Sequence, residues 1–313
     1  MVDNQSRKVL VLIGPTASGK TALSLALADY VKVEVISADS RQIYRYMDIG
    51  TAKPSPEERR KVKHYFIDEL NPDEDFNAGV FGKQGREIID DMFHRNIIPL
   101  VVGGSGLYIR SLVDGLFEGP GANDEIRNPL YERLHKEGAQ PLLDELEKID
   151  PTAASTMLVT NTRRIIRALE VYYDTGIPIS QLHQFKCDIN FKPLFVGLEW
   201  QRKTLYDRIN LRVERMIEQG LEEEVKALQS RGYGPELKAL KTVGYREVFD
   251  YFARRITRAR MIVLIKQNSR RFAKRQITWF RPDTRIHWFA LEVEKQLPDI
   301  AKQIASLYES RLP

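Results

Sequence analysis

Short apolar runs alternate with amphipathic stretches through the first hundred residues. Val9-Leu10-Val11-Leu12-Ile13 is a continuous apolar run of strand length, the pattern of a strand covered on both faces. Residues 21–30 carry Ala22, Leu23, Leu25, Ala26 and Leu27 at helical spacing, which predicts a helix with an apolar stripe. A second strand is predicted over 33–37. A loop follows over 44–56, marked by Gly50, Pro54 and Pro56, and then a short charged helix over 57–64. Residues 65–67 read as a further strand, closed by the turn signal Asn71-Pro72-Asp73. A helix over 79–95 places Val80, Ile88, Ile89 and Met92 roughly on one face. A third buried strand over 97–102 runs into Gly103-Gly104-Ser105-Gly106, and Leu107 to Leu112 opens another helix. Strands alternating with helices predict an α/β fold with a parallel sheet.

The pattern changes after Gly115. Residues 117–184 give helical signals and no central strand. Pro151-Thr152-Ala153-Ala154 reads as a capped helix start, and 163–173 as a helix burying Ile165, Ile166, Leu169 and Val171. Strand character returns at 194–198 and 286–289, while 203–280 is helical and charged. The expected organisation is a parallel core, flanked by helices, from residues 1–116 and 186–313. A helical insertion domain over 117–185 interrupts it, a size that suits a small mobile domain.

Composition narrows the classes. Charged residues make up 29% and hydrophobic ones 42% of the 313 residues, which is ordinary for a globular chain and argues against wholesale disorder. No apolar run approaches the ~18 residues of a membrane span, and residues 1–6 lack the apolar stretch of a signal peptide. Cys187 is the single cysteine, so no internal disulfide can form, and the five histidines lack zinc-site spacing. A cytoplasmic protein without membrane contact is expected. Net charge is +5, yet residues 254–285 hold eleven Lys and Arg against one acid, Asp283, so the rest of the chain is net acidic. Charge separated in this way suggests a polyanionic partner.

Candidate chemistry begins at residues 14–21. Gly14-Pro15-Thr16-Ala17-Ser18-Gly19-Lys20-Thr21 fits G-x-x-x-x-G-K-[ST] at every fixed position, between a predicted strand and a predicted helix. That context makes a P-loop, a nest of backbone N–H groups at a positive helix end. Lys20 supplies a point charge for phosphate oxygens and Thr21 a hydroxyl ligand for Mg²⁺. Asp39 ends the second strand and should face the same cleft. It serves as a metal carboxylate, as a base toward an acceptor, or only as a cap on the following turn. Lys266, Arg270 and Lys274 recur every four residues, with Arg271 and Arg275 one position over, and predict a basic helix face for a phosphate backbone. A small-molecule kinase has no use for such a face.

Longer matches resemble a known family. The P-loop, Ser37-Ala38-Asp39-Ser40-Arg41-Gln42-Ile43-Tyr44 and Asp48-Ile49-Gly50-Thr51-Ala52-Lys53-Pro54 together look like the tRNA dimethylallyltransferases, also called tRNA isopentenyl transferases. So do His64 with Asp68, the stretch from Val101 to Tyr108, and Asn161 to Glu170. Gly220-Leu221 with Glu224-Val225, Val243 to Glu247, and Ala273 to Arg281 complete the set. The resemblance implies transfer of a dimethylallyl group from dimethylallyl diphosphate to N6 of an adenine beside the tRNA anticodon. It implies Mg²⁺ as cofactor and a P-loop, residues 14–21, that grips the diphosphate without hydrolysing a nucleotide. The chain resembles the compact bacterial form, since it lacks a C-terminal Cys/His zinc module.

On this reading Asp39 takes the proton from the adenine amino group, while Lys20, Thr21 and Arg212 stabilise the leaving diphosphate. Arg212 has a surface helix arginine as its alternative. The target base must be swung out of the stacked anticodon loop. By resemblance Asp39, Ser40, Arg41, Gln42, Ser105 and Arg127 contact the RNA near that base, and Asn161, Thr162, Arg163, Arg164 and Ile165 grip the anticodon stem-loop. His64 is expected to be packed, Ser105 has helix capping as its alternative, and Arg163 and Arg164 have a solvated helix face as theirs. Nothing in the sequence demands more than a monomer. A P-loop kinase and a non-catalytic RNA-binding protein remain open at this point.

Overall fold

The structure, a computed structural model, describes residues 7–115, 120–184 and 188–310. It divides into two compact units, Met1–Val113 with Asn190–Pro313, and Asp114–Ile189. The expected boundaries at 116/117 and 185/186, the N-terminal stretch 1–6 and Cys187 lie outside the described residues.

The first unit holds β1 (Lys8–Ile13), β2 (Val33–Ala38), β3 (His64–Tyr65), β4 (Ile98–Gly103), β5 (Lys192–Trp200) and β6 (His287–Leu291). Among the described residues they make one sheet in the order β3-β2-β4-β1-β5-β6, and every pairing is parallel. The helices before the second unit are α1 (Lys20–Leu27), α2 (Pro56–Lys61), α3 (Ala78–His94) and α4 (Gly106–Val113). The second unit holds α5 (Asp124–Glu137), α6 (Gln140–Ile149), α7 (Pro151–Ala154), α8 (Thr162–Thr175) and α9 (Ile179–Leu182). The first unit resumes with α10 (Arg202–Glu218), α11 (Leu221–Ser230), α12 (Tyr245–Phe252), α13 (Arg258–Phe280) and α14 (Leu297–Ser310).

β1 sits inside the sheet, with Leu10 opposite Leu100 of β4 and Leu194 of β5. Strand side chains alternate, so Leu10 and Leu12 join one cluster with Leu23 and Leu27 of α1, Leu205 and Ile209 of α10, and Ile300 and Ile304 of α14. Val9, Val11 and Ile13 are buried as well, on the other face. This double burial explains why β1 reads as an unbroken apolar run. α3 and α4 pack on each other and on β4, burying Phe81, Ile89, Met92, Ile109 and Leu112. The strand expected over 65–67 shortens to β3, because Phe66 and Asp68 take left-handed backbone at φ 61° and 58°, which ends strand pairing. α2 starts at a capping box of Ser55 and Glu58 and stops at Lys61, three residues earlier than expected, because Val62 is extended. α14 was not anticipated from the pattern.

The second unit is helical and has its own core of Leu130, Leu142, Leu146, Ile165, Ile166 and Leu169. Asp150 binds α7 to α9, accepting from Ala153 N–H and Ser180 N–H, both at 2.9 Å. Buried Glu170 accepts from Asn123 N–H at 2.8 Å and pairs with Arg127 at 3.0 Å and Arg167 at 2.9 Å. Ile165 is 1% exposed, buried as its helical spacing predicts, and its side chain packs the core of this unit. Ile165→Ala should therefore cost about 2–5 kcal/mol, read as a lowered urea midpoint. Arg163→Ala, on the exposed face of the same helix, should stay within about 0.5 kcal/mol.

Candidate active site

β2, β4 and β1 run side by side and parallel, so their carboxyl ends deliver residues 39–42, 104–105 and 14–19 to one edge of the sheet. The loop after β1 curls tightly. Ser18 N–H donates to Pro15 O at 3.2 Å, Ala17 is left-handed at φ 62°, and Gly19 precedes α1 at φ 95°, where any side chain would be strained. The first N–H groups of α1 have no acceptor within the helix and make a positive end. Ser18 Oγ is buried without a hydrogen-bond partner, an orphaned donor inside the loop that suits an anionic ligand. Three side chains brace the loop from outside. Trp200 Nε1–H donates to Ser18 O at 2.9 Å, Arg208 Nε–H donates to Ala17 O at 2.8 Å, and Gln276 Oε1 accepts from Thr16 N–H at 2.9 Å. Arg208 also lies 4.3 Å over the Trp200 ring.

The charges of the cleft act on one another. Lys20 Nζ donates to Gly14 O at 3.0 Å and Pro15 O at 2.9 Å. Burial, and then the Arg212 charge, lower its pKa to about 8, with Asp39 pulling the other way. Arg212 reaches in from α10 and donates to Thr51 O at a long 3.4 Å, and burial lowers its pKa too, again against Asp39. Asp39 Oδ1 accepts from Arg41 N–H at 2.8 Å, so one carboxylate oxygen does cap the turn. Ser40 N–H donates to Ser105 Oγ at 3.2 Å, which ties the loops after β2 and β4 together. Ser37 Oγ donates to Gln42 Oε1 at 2.9 Å, and Gln42 Nε2 reaches Thr51 O and Ala52 O at 3.3 and 3.2 Å. Arg41, in the loop after β2, and Thr21, in the first turn of α1, are half-buried.

Several supporting residues carried no role in the sequence reading. Glu224 of α11 accepts from the N–H groups of Asp48, Ile49 and Gly50 at 2.8, 2.7 and 3.1 Å, and from Tyr245 Oη at 2.7 Å. Lys53 binds Tyr44 O, Asp48 and Asp68 at 2.6, 2.7 and 2.5 Å, and Arg59 binds Asp68 at 2.7 Å. These contacts hold the segment that presents Thr51 O to Arg212 and Gln42. His64 is half-buried, donates from Nδ1 to Val62 O at 2.7 Å, and has its pKa lowered by burial, while Asp68 is held by Lys53 and Arg59. The family-like stretches around Glu224 and Tyr245 were visible signals; their target was not.

The basic face of α13 is not uniform. Lys266 pairs with Glu214 of α10 at 2.5 Å, and Arg270 donates to Asn210 at 2.6 Å. Arg271, Lys274 and Arg275 are exposed. In the second unit, described by itself, Arg127 is bound to Glu170, Asn161 Oδ1 accepts from Leu158 N–H at 2.8 Å, and Thr162 is half-buried. Arg163 and Arg164 of α8 are exposed. Among the described residues no group of three His, Cys, Asp or Glu side chains is placed to hold a metal. The Thr21 hydroxyl beside a phosphate loop fits Mg²⁺, an ion that keeps few protein ligands and takes phosphate oxygens and water for the rest.

A wholly parallel sheet with a phosphate loop after β1, two cations and one carboxylate at its carboxyl edge defines a P-loop-type group-transfer enzyme. A family model described as IPP transferase matches residues 42–283. The tRNA dimethylallyltransferase of Thermotoga neapolitana is 45% identical over 300 residues, covering 94% of this chain and 97% of its own. That of Pelotomaculum thermopropionicum is 43% identical over 315 residues, 99% of each chain. The crystal structure of the tRNA isopentenylpyrophosphate transferase of Bacillus halodurans superposes at a TM-score of 0.72 with 38% identity, over 97% of this chain and 98% of that one. A eukaryotic dimethylallyltransferase captured acting on tRNA gives a TM-score of 0.82 at 27% identity, over 98% of this chain and 81% of that one. The chain belongs to the IPP transferase family, the tRNA dimethylallyltransferases.

The Lys20 environment has a measurable consequence. Its folded pKa lies below the ordinary lysine value, so the ammonium is present below about pH 8 and lost above it. Affinity for inorganic diphosphate should fall as pH rises through that value, by at most about tenfold per unit. Lys20→Met should remove the break near pH 8 in calorimetric titrations.

Proposed function

We propose that the enzyme transfers the dimethylallyl group of dimethylallyl diphosphate to N6 of the adenine adjacent to the tRNA anticodon, giving N6-isopentenyladenosine and diphosphate. The observation that carries this reading is the placement of Asp39, alone among the carboxylates of the described residues, in electrostatic contact with both Lys20 and Arg212. A phosphate loop with only cations around it would serve many anions. One with a carboxylate facing it suits a reaction that expels an anion and takes up a proton.

The adenine amino group is a poor nucleophile, because its lone pair is delocalised into the ring. The C–O bond of the allylic carbon to diphosphate breaks, the N6–C bond forms, and the amino proton passes to Asp39. Lys20, Arg212 and the amides of residues 14–21 stabilise charge on the departing diphosphate. Thr21 would hold Mg²⁺ together with diphosphate oxygens, and the ion supplies further neutralisation of that charge when bound. Ser40, Arg41, Gln42 and Ser105 would contact the flipped-out adenine and its neighbours. Asn161, Thr162, Arg163, Arg164 and Arg127 would contact the anticodon stem-loop from the helical unit, Arg127 using donors not bound to Glu170. The names of the relatives favour this reading over a P-loop kinase, which would transfer a γ-phosphoryl group. No helix among the described residues is long and apolar enough to cross a membrane; that the enzyme acts as a monomer on tRNA in the cytoplasm is part of the same proposal.

Incubation with labelled dimethylallyl diphosphate and unmodified tRNA, followed by nucleoside analysis, should yield N6-isopentenyladenosine with no ATP consumed; ATP-dependent phosphorylation of an acceptor would overturn the reading. Asp39→Ala should lower the rate by about 10²–10⁴ with tRNA affinity largely kept. Replacing Arg271, Lys274 and Arg275 by Gln should flatten the dependence of log K on log salt by up to about 2 units, measured by filter binding.

A further inference from the structure

Gln276 lies on the basic helix α13 and is only 7% exposed. Its side-chain amide stands between two loops of the active-site edge. Oε1 accepts from the Thr16 N–H at 2.9 Å, and Nε2 donates to the Gly104 carbonyl at 3.1 Å. The partners determine this orientation, since an N–H only donates and a carbonyl only accepts; a flipped amide would satisfy neither. Gly104 is bare where the amide arrives: a Cβ there would lie 2.1 Å from Nε2. Three residues further along α13, Trp279 closes on Gly106 in the same manner, its indole nitrogen 2.1 Å from where a Cβ would be. Ser105, between these two glycines, accepts from Ser40 N–H, and Ser40 follows Asp39. A path of hydrogen bonds therefore leads from the phosphate loop through Gln276 to the loop after β4, and from there to the loop that carries the acceptor base.

We propose that Gln276 is a positioning residue that fixes the separation between the diphosphate cradle and the Asp39 side of the cleft. It touches neither substrate; it acts through Thr16 on one side and through Gly104 and Ser105 on the other. A reaction in which a leaving group and an acceptor proton are handled on opposite sides of one carbon depends on that separation, because displacement by about 1 Å can cost on the order of a hundredfold in rate. The inference rests on the proposed reaction for its turnover readout, and on the phosphate loop alone for its binding readout.

The test is a double-mutant cycle on the full-length protein. Gln276→Met removes both hydrogen bonds from the helix side. Gly104→Ala drives the same amide away from the strand side. Each single variant should lower kcat by roughly tenfold or more, the range expected for leaving buried polar groups unpaired. KM for tRNA should stay unchanged, affinity for inorganic diphosphate should weaken, and the double variant should be little worse than either single one. Gln276→Glu, of the same shape, keeps the acceptor for Thr16 N–H and loses the donor to Gly104 O, so it should retain the fold and still lose kcat. Additive losses, or a folded Gln276→Glu protein with unchanged kcat and diphosphate affinity, would overturn the inference. Should the unaltered protein bind diphosphate yet leave tRNA unalkylated, the reaction reading fails, and the cycle read by diphosphate binding alone still decides the role of Gln276.

Discussion

Lys20 and Arg212 are drawn into the same cleft with one carboxylate, Asp39, to offset them, and much of the structure follows from that imbalance. Burial disfavours the Lys20 ammonium and the Arg212 charge adds to that, which together lower the Lys20 pKa to about 8. In the proposed reaction a diphosphate brings the missing negative charge. Until one arrives, the ammonium rests on the carbonyls of Gly14 and Pro15, and the loop must keep its curled shape without the ligand. Trp200, Arg208 and Gln276 supply that shape by holding backbone atoms of Thr16, Ala17 and Ser18 from three different elements.

The remaining loops of the edge are restrained by the same device, a side chain from a distant helix closing on backbone groups. Glu224 gathers three successive N–H groups of residues 48–50, and Tyr245 steadies the carboxylate. The segment so anchored turns Thr51 O toward Arg212 and Gln42. The parallel sheet brings the strand ends together, and α10 to α13 decide how their loops are held. The long helical stretch after β5 thus has a structural task in the active site, and it also carries the exposed charges of Arg271, Lys274 and Arg275.

Asp39 caps a turn, and it is also the carboxylate that the proposed reaction uses as its base. Its Oδ1 caps the turn at Arg41, which orients the carboxylate, and orientation is what a base needs. Lys266 and Arg270 go the other way. Spacing grouped them with the RNA-facing charges, but Glu214 and Asn210 on α10 engage them, so they join α13 to its neighbour.

Local features were legible from the chain itself. The double burial of β1, the helix stripe of α1 and the P-loop between them all occupy contiguous residues, where period and turn chemistry act over a few positions. Asp39 was legible because a strand end in a parallel sheet has a known destination. The helical character of residues 117–184 followed from spacing, and the same spacing placed Ile165, Ile166, Leu169 and Val171 inside, as the structure has them, with Arg163 on the exposed face. What tertiary structure alone decided were pairings across long separations: Gln276 with Thr16, 260 residues apart, and Glu224 with Ile49, 175 apart. Periodicity states which face of an element is apolar, but a polar side chain on that face can find its partner only when another element is packed against it.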